Sequence, residues 1–216
     1  MENQDTKKVI SLTDVANVID TLNLTIVQEC QHLKIWQTAK GEIATMYIAS
    51  LEKARKNLEL NSSKWNEEEL KMKFISLVIN ASEVEETNKI AVFYERPLEG
   101  TIQGYDFSVI CDCIIGTPTA GGRPKAPYFL LQEFKKAKGD RIDAEAQTLV
   151  AMLLAQKENN DNKALYGAWL VGENWHFTTL YGNEYCVSRQ YVATNPDDLQ
   201  KIIYMLQFLK PLILNT

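Results

Sequence analysis

Glu133 and Lys135 stand two residues apart where the apolar run of "YFLLQEFKKAKG" (128–139) gives way to lysines. Such a run is predicted to be a β-strand, whose side chains alternate, so both groups point to one face about 7 Å apart at ~3.3 Å per residue. Phe129 and Leu131 precede them on that face. An ammonium there sheds part of its hydration and needs an anion nearby to keep its charge. The upstream strand "GYDFSVICDCIIG" (104–116) offers Asp106 and Asp112 on a shared face. Six residues, roughly 20 Å of strand, separate them, so one centre can use only one. Folding the two strands as an antiparallel hairpin about residues 120–121 sets Asp106 opposite Lys135, with Glu133 on the diagonal, and sets Asp112 opposite Phe129. Asp106 is the expected second carboxylate.

Two carboxylates and a lysine converging at strand ends suit one chemistry well. The acids can hold a hard cation, magnesium or alternatively manganese, through oxygen ligands, and a bound metal lowers the pKa of its water. The lysine can orient that water or stabilise the charge that develops on a phosphate. Metal-assisted phosphodiester hydrolysis is the expectation.

Other chemistries have less to draw on. The chain has two histidines, His32 and His176, and the second, in "NWHFTTL", reads as packing within an aromatic strand. Cys30, Cys111, Cys113 and Cys186 are scattered without the paired spacing of a zinc site. "GTPTAGGRPK" has glycines but neither the phosphate-binding loop nor the dinucleotide fingerprint. Ser108 and Ser188 lack the context of a strained nucleophile turn, and Trp65, Trp169 and Trp175 read as core residues.

The elements that must carry these groups follow from periodicity. "SLTD" (11–14) opens a first helix, 24–37 is open between strand and helix, and 41–60 reads as a long amphipathic helix. "NSSKWNEEELKMKFISLVINAS" (61–82) reads as a further helix, with Ser63 or Asn66 as cap and acids in its first turn. From residue 89 the pattern becomes β, with strands at 89–98, 104–116 and 127–135 and "TPTAGGRPKA" (117–126) as a long hairpin loop. A helix over 140–157, a hairpin around "GEN" (172–174), a strand near 184–192 and a closing helix from Pro196 complete the chain.

At these residues the sequence resembles the PD-(D/E)xK nuclease superfamily, closest to the N-terminal nuclease domains of type I restriction-enzyme motor subunits. "GYDFSVI" is similar to the strand bearing the family's first aspartate, "LLQEFKKA" to its E-x-K strand, "NEEELKMKF" to its leading helix glutamate and "AEAQTLVAML" to its glutamine-bearing helix. The resemblance implies a restriction-endonuclease-like, three-layer α/β/α fold with a mixed central sheet flanked by helices. It implies Asp106 and Glu133 as metal ligands, Lys135 as the catalytic lysine, Glu67 as the helix carboxylate and Gln147 as the helix glutamine. Glu68 follows the same helical periodicity as Glu67 and remains an alternative. The interval from Asp106 to Glu133 is longer than the compact hairpin usual in the superfamily, and no motor motif follows.

With 216 residues, 45% hydrophobic and 24% charged, the chain is expected to form a single domain over 1–216. Its parts are a helical N-terminal elaboration (1–62), the nuclease-like core (63–192) and a C-terminal helix (193–216). No signal pattern or spanning segment is present in the sequence, which predicts a cytoplasmic protein without membrane partners. A net charge of −5 disfavours a generic polyanion binder. Arg123, Lys125, Lys136, Lys138 and Arg141 nevertheless form a local basic run around Lys135 that could meet DNA. The expected activity is a magnesium-dependent DNA nuclease, with a partner protein or a homodimer supplying further recognition. The alternative is a catalytically inactive nuclease-fold module that binds nucleic acid or a partner protein.

Overall fold

A computed structural model describes residues 11–135 and 143–214, with the backbone alone for Phe129, Leu130 and Leu131. Its centre is a mixed, largely antiparallel sheet with helices packed on both sides. The strands are β1 (Thr25–Ile26), β2 (Ala91–Ile102), β3 (Tyr105–Pro118), β4 (Pro124–Lys135), β5 (Leu165–Val171), β6 (Asn174–Tyr181), β7 (Glu184–Val187) and β8 (Tyr191–Val192). They lie in the order β1-β7-β6-β5-β4-β3-β2, with β8 also pairing β6. β4 pairs β5 in parallel and β1 pairs β7 in parallel. The crossover from β4 to β5 passes through helix α6 (Ala144–Asn159), as parallel neighbours require.

One side of the sheet is covered by α6 together with α1 (Val15–Thr21), through Val18, Leu149, Val150 and Leu154 against Phe107, Val109 and Ile114. The other is covered by α2 (Gln31–Gln37), α3 (Thr45–Asn61), α5 (Ser76–Ser82) and α7 (Pro196–Leu214), around Trp36, Phe74, Phe134, Trp175 and Phe177. The 24–37 stretch, open in the sequence, resolves as the two-residue β1 followed by α2. No helix among the described residues is long and apolar enough to cross a membrane.

Local chemistry sets the element that leads into the site. Asn66 caps α4 (Glu67–Leu70): its side chain accepts the Glu69 N–H at 2.8 Å while the Glu69 carboxylate accepts the Asn66 N–H at 3.1 Å. Such a reciprocal box satisfies two otherwise orphaned donors. Three glutamates in that turn suit the positive helix end. A π-helical turn, Lys71–Ile75, then joins α4 to α5. Such turns are frequent at functional sites.

The β3–β4 connection differs from expectation. The strands run inward to Pro118 and Pro124, which pair with each other, leaving a turn of residues 119–123 closed between Thr119 and Arg123. Much of the predicted loop is therefore strand, and this accounts for the long interval between the aspartates and Glu133.

Candidate active site

The register of β3 on β4 decides which carboxylates meet. Near the turn, Thr117 pairs Lys125, close to the simple hairpin expectation. Register shifts at Ile115/Gly116 and Gly116/Thr117 then displace β4, so that Ile115 pairs Leu130 and Cys113 pairs Gln132. Each extra residue in a bulge moves every later partner along the strand. Carried one residue past its last pair, that register would set Asp112 level with Glu133, where the expectation had Asp112 opposite Phe129.

At that point β3 and β4 part. Their pairing ends at Cys113 and Gln132, while β4 continues alongside β5 through Lys135 and Val171. The Asp112 carboxylate fills the gap: its Oδ2 accepts the Phe134 N–H at 2.7 Å. Asp106, by contrast, stays at the far end of β3, where it pairs Thr101 and accepts that hydroxyl's hydrogen bond at 2.6 Å. The structure does not bring Asp106 to Glu133 and Lys135.

The groups that do converge come from the helical segment that holds Glu67 and Lys71 and from β2, β3 and β4. Lys135 donates to Glu133 Oε1 at 2.6 Å and lies 3.9 Å from Glu67. Lys71 donates to Asp112 Oδ1 at 2.8 Å, lies 3.3 Å from Glu67 and contacts Glu95 on β2. The helix carboxylate at the site is thus Glu67; Glu68 is exposed. The Asp112 and Glu133 side chains are 6% and 4% exposed, whereas Glu67 and Glu95 are 33% and 56% exposed, marking the inner wall and the mouth.

Charges so close alter one another. Burial, then repulsion from Asp112 and Glu67, pushes Glu133 up to about 8 against the pull of Lys135. Burial works against the charges of Lys135 and Lys71, yet their carboxylate partners hold both above the ordinary lysine value. With all groups ionised, Glu67, Glu95, Asp112 and Glu133 set four negative charges against the two ammonium groups of Lys71 and Lys135. With Glu133 pushed up to about 8, its carboxyl keeps its proton near neutral pH, and three carboxylates then face the two ammonium groups.

No protein-family model matches this chain. No curated protein matches it significantly either. The reading of the cluster therefore rests on its own chemistry. Carboxylate oxygens from Asp112, Glu133 and Glu67 are the donor type that magnesium takes. Among the described residues, no three acidic, thiol or imidazole groups already stand in an arrangement that could hold an ion. Here ammonium groups contact the carboxylate oxygens of Asp112, Glu133 and Glu67.

The remaining expected residues fall elsewhere. Gln147 closes the first turn of α6, half-buried, with its Oε1 buried and unpaired among the described residues. Arg123 and Lys125 are exposed at the β3–β4 turn, some ten residues or roughly 30 Å of strand from Glu133, so they do not border the cluster. Lys136, Lys138 and Arg141 lie outside the described residues.

Sequence reasoning missed Lys71, although its spacing of four from Glu67 is the signal for a shared helical face. It also set Trp169 in the core without its neighbour: Trp169 pairs Glu133 in register, and His176 stacks on it at 5.0 Å with a 9° interplanar angle. Burial holds the His176 imidazole below its ordinary value.

Proposed function

We propose that this protein is a metal-dependent nuclease of the restriction-endonuclease-like fold, with Asp112 rather than Asp106 as the strand aspartate. The observation that carries the reading is the parting of β3 from β4 just before two nearly buried carboxylates, Asp112 held by Lys71 and Glu133 held by Lys135. Asp112, Glu133 and Glu67 would hold magnesium or manganese. A bound ion of that kind activates water and neutralises phosphate charge.

The chain's own residues do the rest. The Phe134 N–H fixes the Asp112 carboxylate, so that ligand is pre-oriented by backbone. Lys135, 13% exposed and anchored by Glu133, presents a fixed ammonium to an entering phosphate, where a preorganised positive charge counts most in a partly desolvated setting. The wall formed by Trp169 and His176 limits water on the β5 side. DNA is the proposed substrate, and the acidic mouth at Glu67 and Glu95 means that the cation itself must offset repulsion of the phosphates.

Purified protein should nick supercoiled DNA with Mg²⁺ or Mn²⁺ and not with EDTA, and Glu133→Gln or Lys135→Met should abolish nicking. Cleavage that survives both substitutions would reject the site. One observation favours the second reading, a nuclease-fold module without turnover: Lys71 already engages Asp112. Folded protein that binds DNA without cutting it under any divalent ion would select that reading.

A further inference from the structure

We propose that Lys71 is a resident counter-ion that holds Asp112 in the metal-free protein and must leave it before a divalent cation can enter. The inference rests on the metal-site reading above and adds to it a means by which the protein controls its own metal affinity.

Three observations carry it. Lys71 makes its inner contact at 2.8 Å with Asp112 Oδ1, the one oxygen of that carboxylate not taken by the Phe134 N–H. A cation seeking Asp112 therefore competes for the same atom. Lys71 also has somewhere to go, because it touches Glu95 at the exposed mouth and Glu67 on its own helical face. The lysine can give up Asp112 while keeping two anionic partners. Finally, Lys71 begins the π-helical turn, so its backbone lies where the helix is wound most loosely.

Without the lysine, Asp112 would be a buried carboxylate stripped of its one ion-pair contact and left with the more distant charge of Lys135, and breaking a buried pair is destabilising. With it, the inner wall is balanced and the cluster persists until metal arrives. An entering ion would compete with the Lys71 ammonium for Asp112, and Lys71 would keep Glu67 and Glu95 as partners.

Two measurements test this. Side-chain NMR of ¹⁵N-lysine-labelled wild-type protein should show the Lys71 ammonium protected from solvent exchange without metal and exposed at saturating Mg²⁺. Calorimetric titration with Mg²⁺ should show binding to Lys71→Met about tenfold tighter or more than to wild type, because a charge competing at one oxygen has been removed. If Lys71→Met fails to fold, the NMR experiment decides alone. Mg²⁺ binding that leaves the Lys71 signal unmoved and the variant's affinity unchanged overturns this inference and leaves the nuclease reading standing. Binding to Lys71→Met but not to wild type upholds Lys71 as occupant and removes the nuclease reading. Folded wild type and folded variant that both ignore the ion overturn both.

Discussion

Asp112 faces Phe134 across a gap that backbone pairing has left: Oδ2 of the one takes the N–H of the other at 2.7 Å, just beyond the last paired residues of β3 and β4. A carboxylate substituting for a strand carbonyl is held by the fold itself. Its second oxygen is turned toward Lys71 rather than toward solvent. Glu133 lies one residue beyond the same paired end on β4, and Lys135 and Glu67 complete the cluster.

Asp112 and Asp106 can be separated by experiment. On the proposed nuclease reading, Asp112→Asn should lower divalent-ion-dependent DNA cleavage by about 100-fold or more, the scale of losing a charge-stabilising group at a reacting centre. Asp106→Asn should leave it within about twofold, as for substitutions away from the site. Plasmid nicking at matched protein concentration measures both. A larger loss from Asp106→Asn than from Asp112→Asn would overturn the register argument.

Alternation and turn chemistry are enough to place β2, β3, β4 and α6 in the sequence, because these signals are local. Glu133 and Lys135 are legible for the same reason: two residues apart on one strand share a face whatever the partner does. The choice between the aspartates depends on register, and register depends on irregularities near Gly116 that leave no mark in composition. A simple hairpin is off by a few residues at Asp112, enough to exchange the two candidates. Lys71 escapes notice for a different reason. Its role comes from contact with Asp112, forty-one residues away in sequence, and a lysine in an amphipathic helix reads as a solvated charge until the partner is known. The basic run around Lys135 illustrates the converse, since proximity in sequence does not keep Arg123 and Lys125 beside the cluster once β4 is extended.

A second titratable group, remote from the cluster, gives a pH prediction. Glu145, in the first turn of α6, accepts the Tyr185 hydroxyl at 3.2 Å. Burial pushes it up to about 7 from the ordinary 4.5, with Asp143 adding to the rise, against the Tyr185 hydrogen bond and against the positive helix end. The folded state thus holds a proton that the unfolded state has released between those values. Stability contributed by this group is full below pH 4.5, falls as pH rises toward 7, and is flat above. Glu145→Gln should remove that slope, and urea denaturation of both proteins at several pH values should show a difference on the order of 1–2 kcal/mol after allowance for solvent screening. Parallel stability profiles would show that folding leaves the pKa of Glu145 where it stands in the unfolded chain.

The seat of α6 on β5 sets how firmly the layer behind Glu133 is held, and Gly167 is its tightest point. A Cβ there would stand 2.4 Å from Met152 Sδ, 2.9 Å from Thr178 Cγ2 and 3.1 Å from Thr148 Cγ2. Met152 can turn its sulfur aside, but the two threonines cannot rotate freely. Thr148 donates to the Ala144 carbonyl and Thr178 to the Cys186 carbonyl, each at 2.8 Å. Gly167→Ala should therefore destabilise the protein by about 1–3 kcal/mol, the cost of overpacking a filled interior. In a Met152→Ala background the same change should cost less, because the nearest obstacle is gone and neighbouring sites do not add. Thermal or urea unfolding of the four proteins in this cycle measures the coupling. Additive costs would mean that α6 is free to lift from the sheet, and the close seat inferred for it would be wrong.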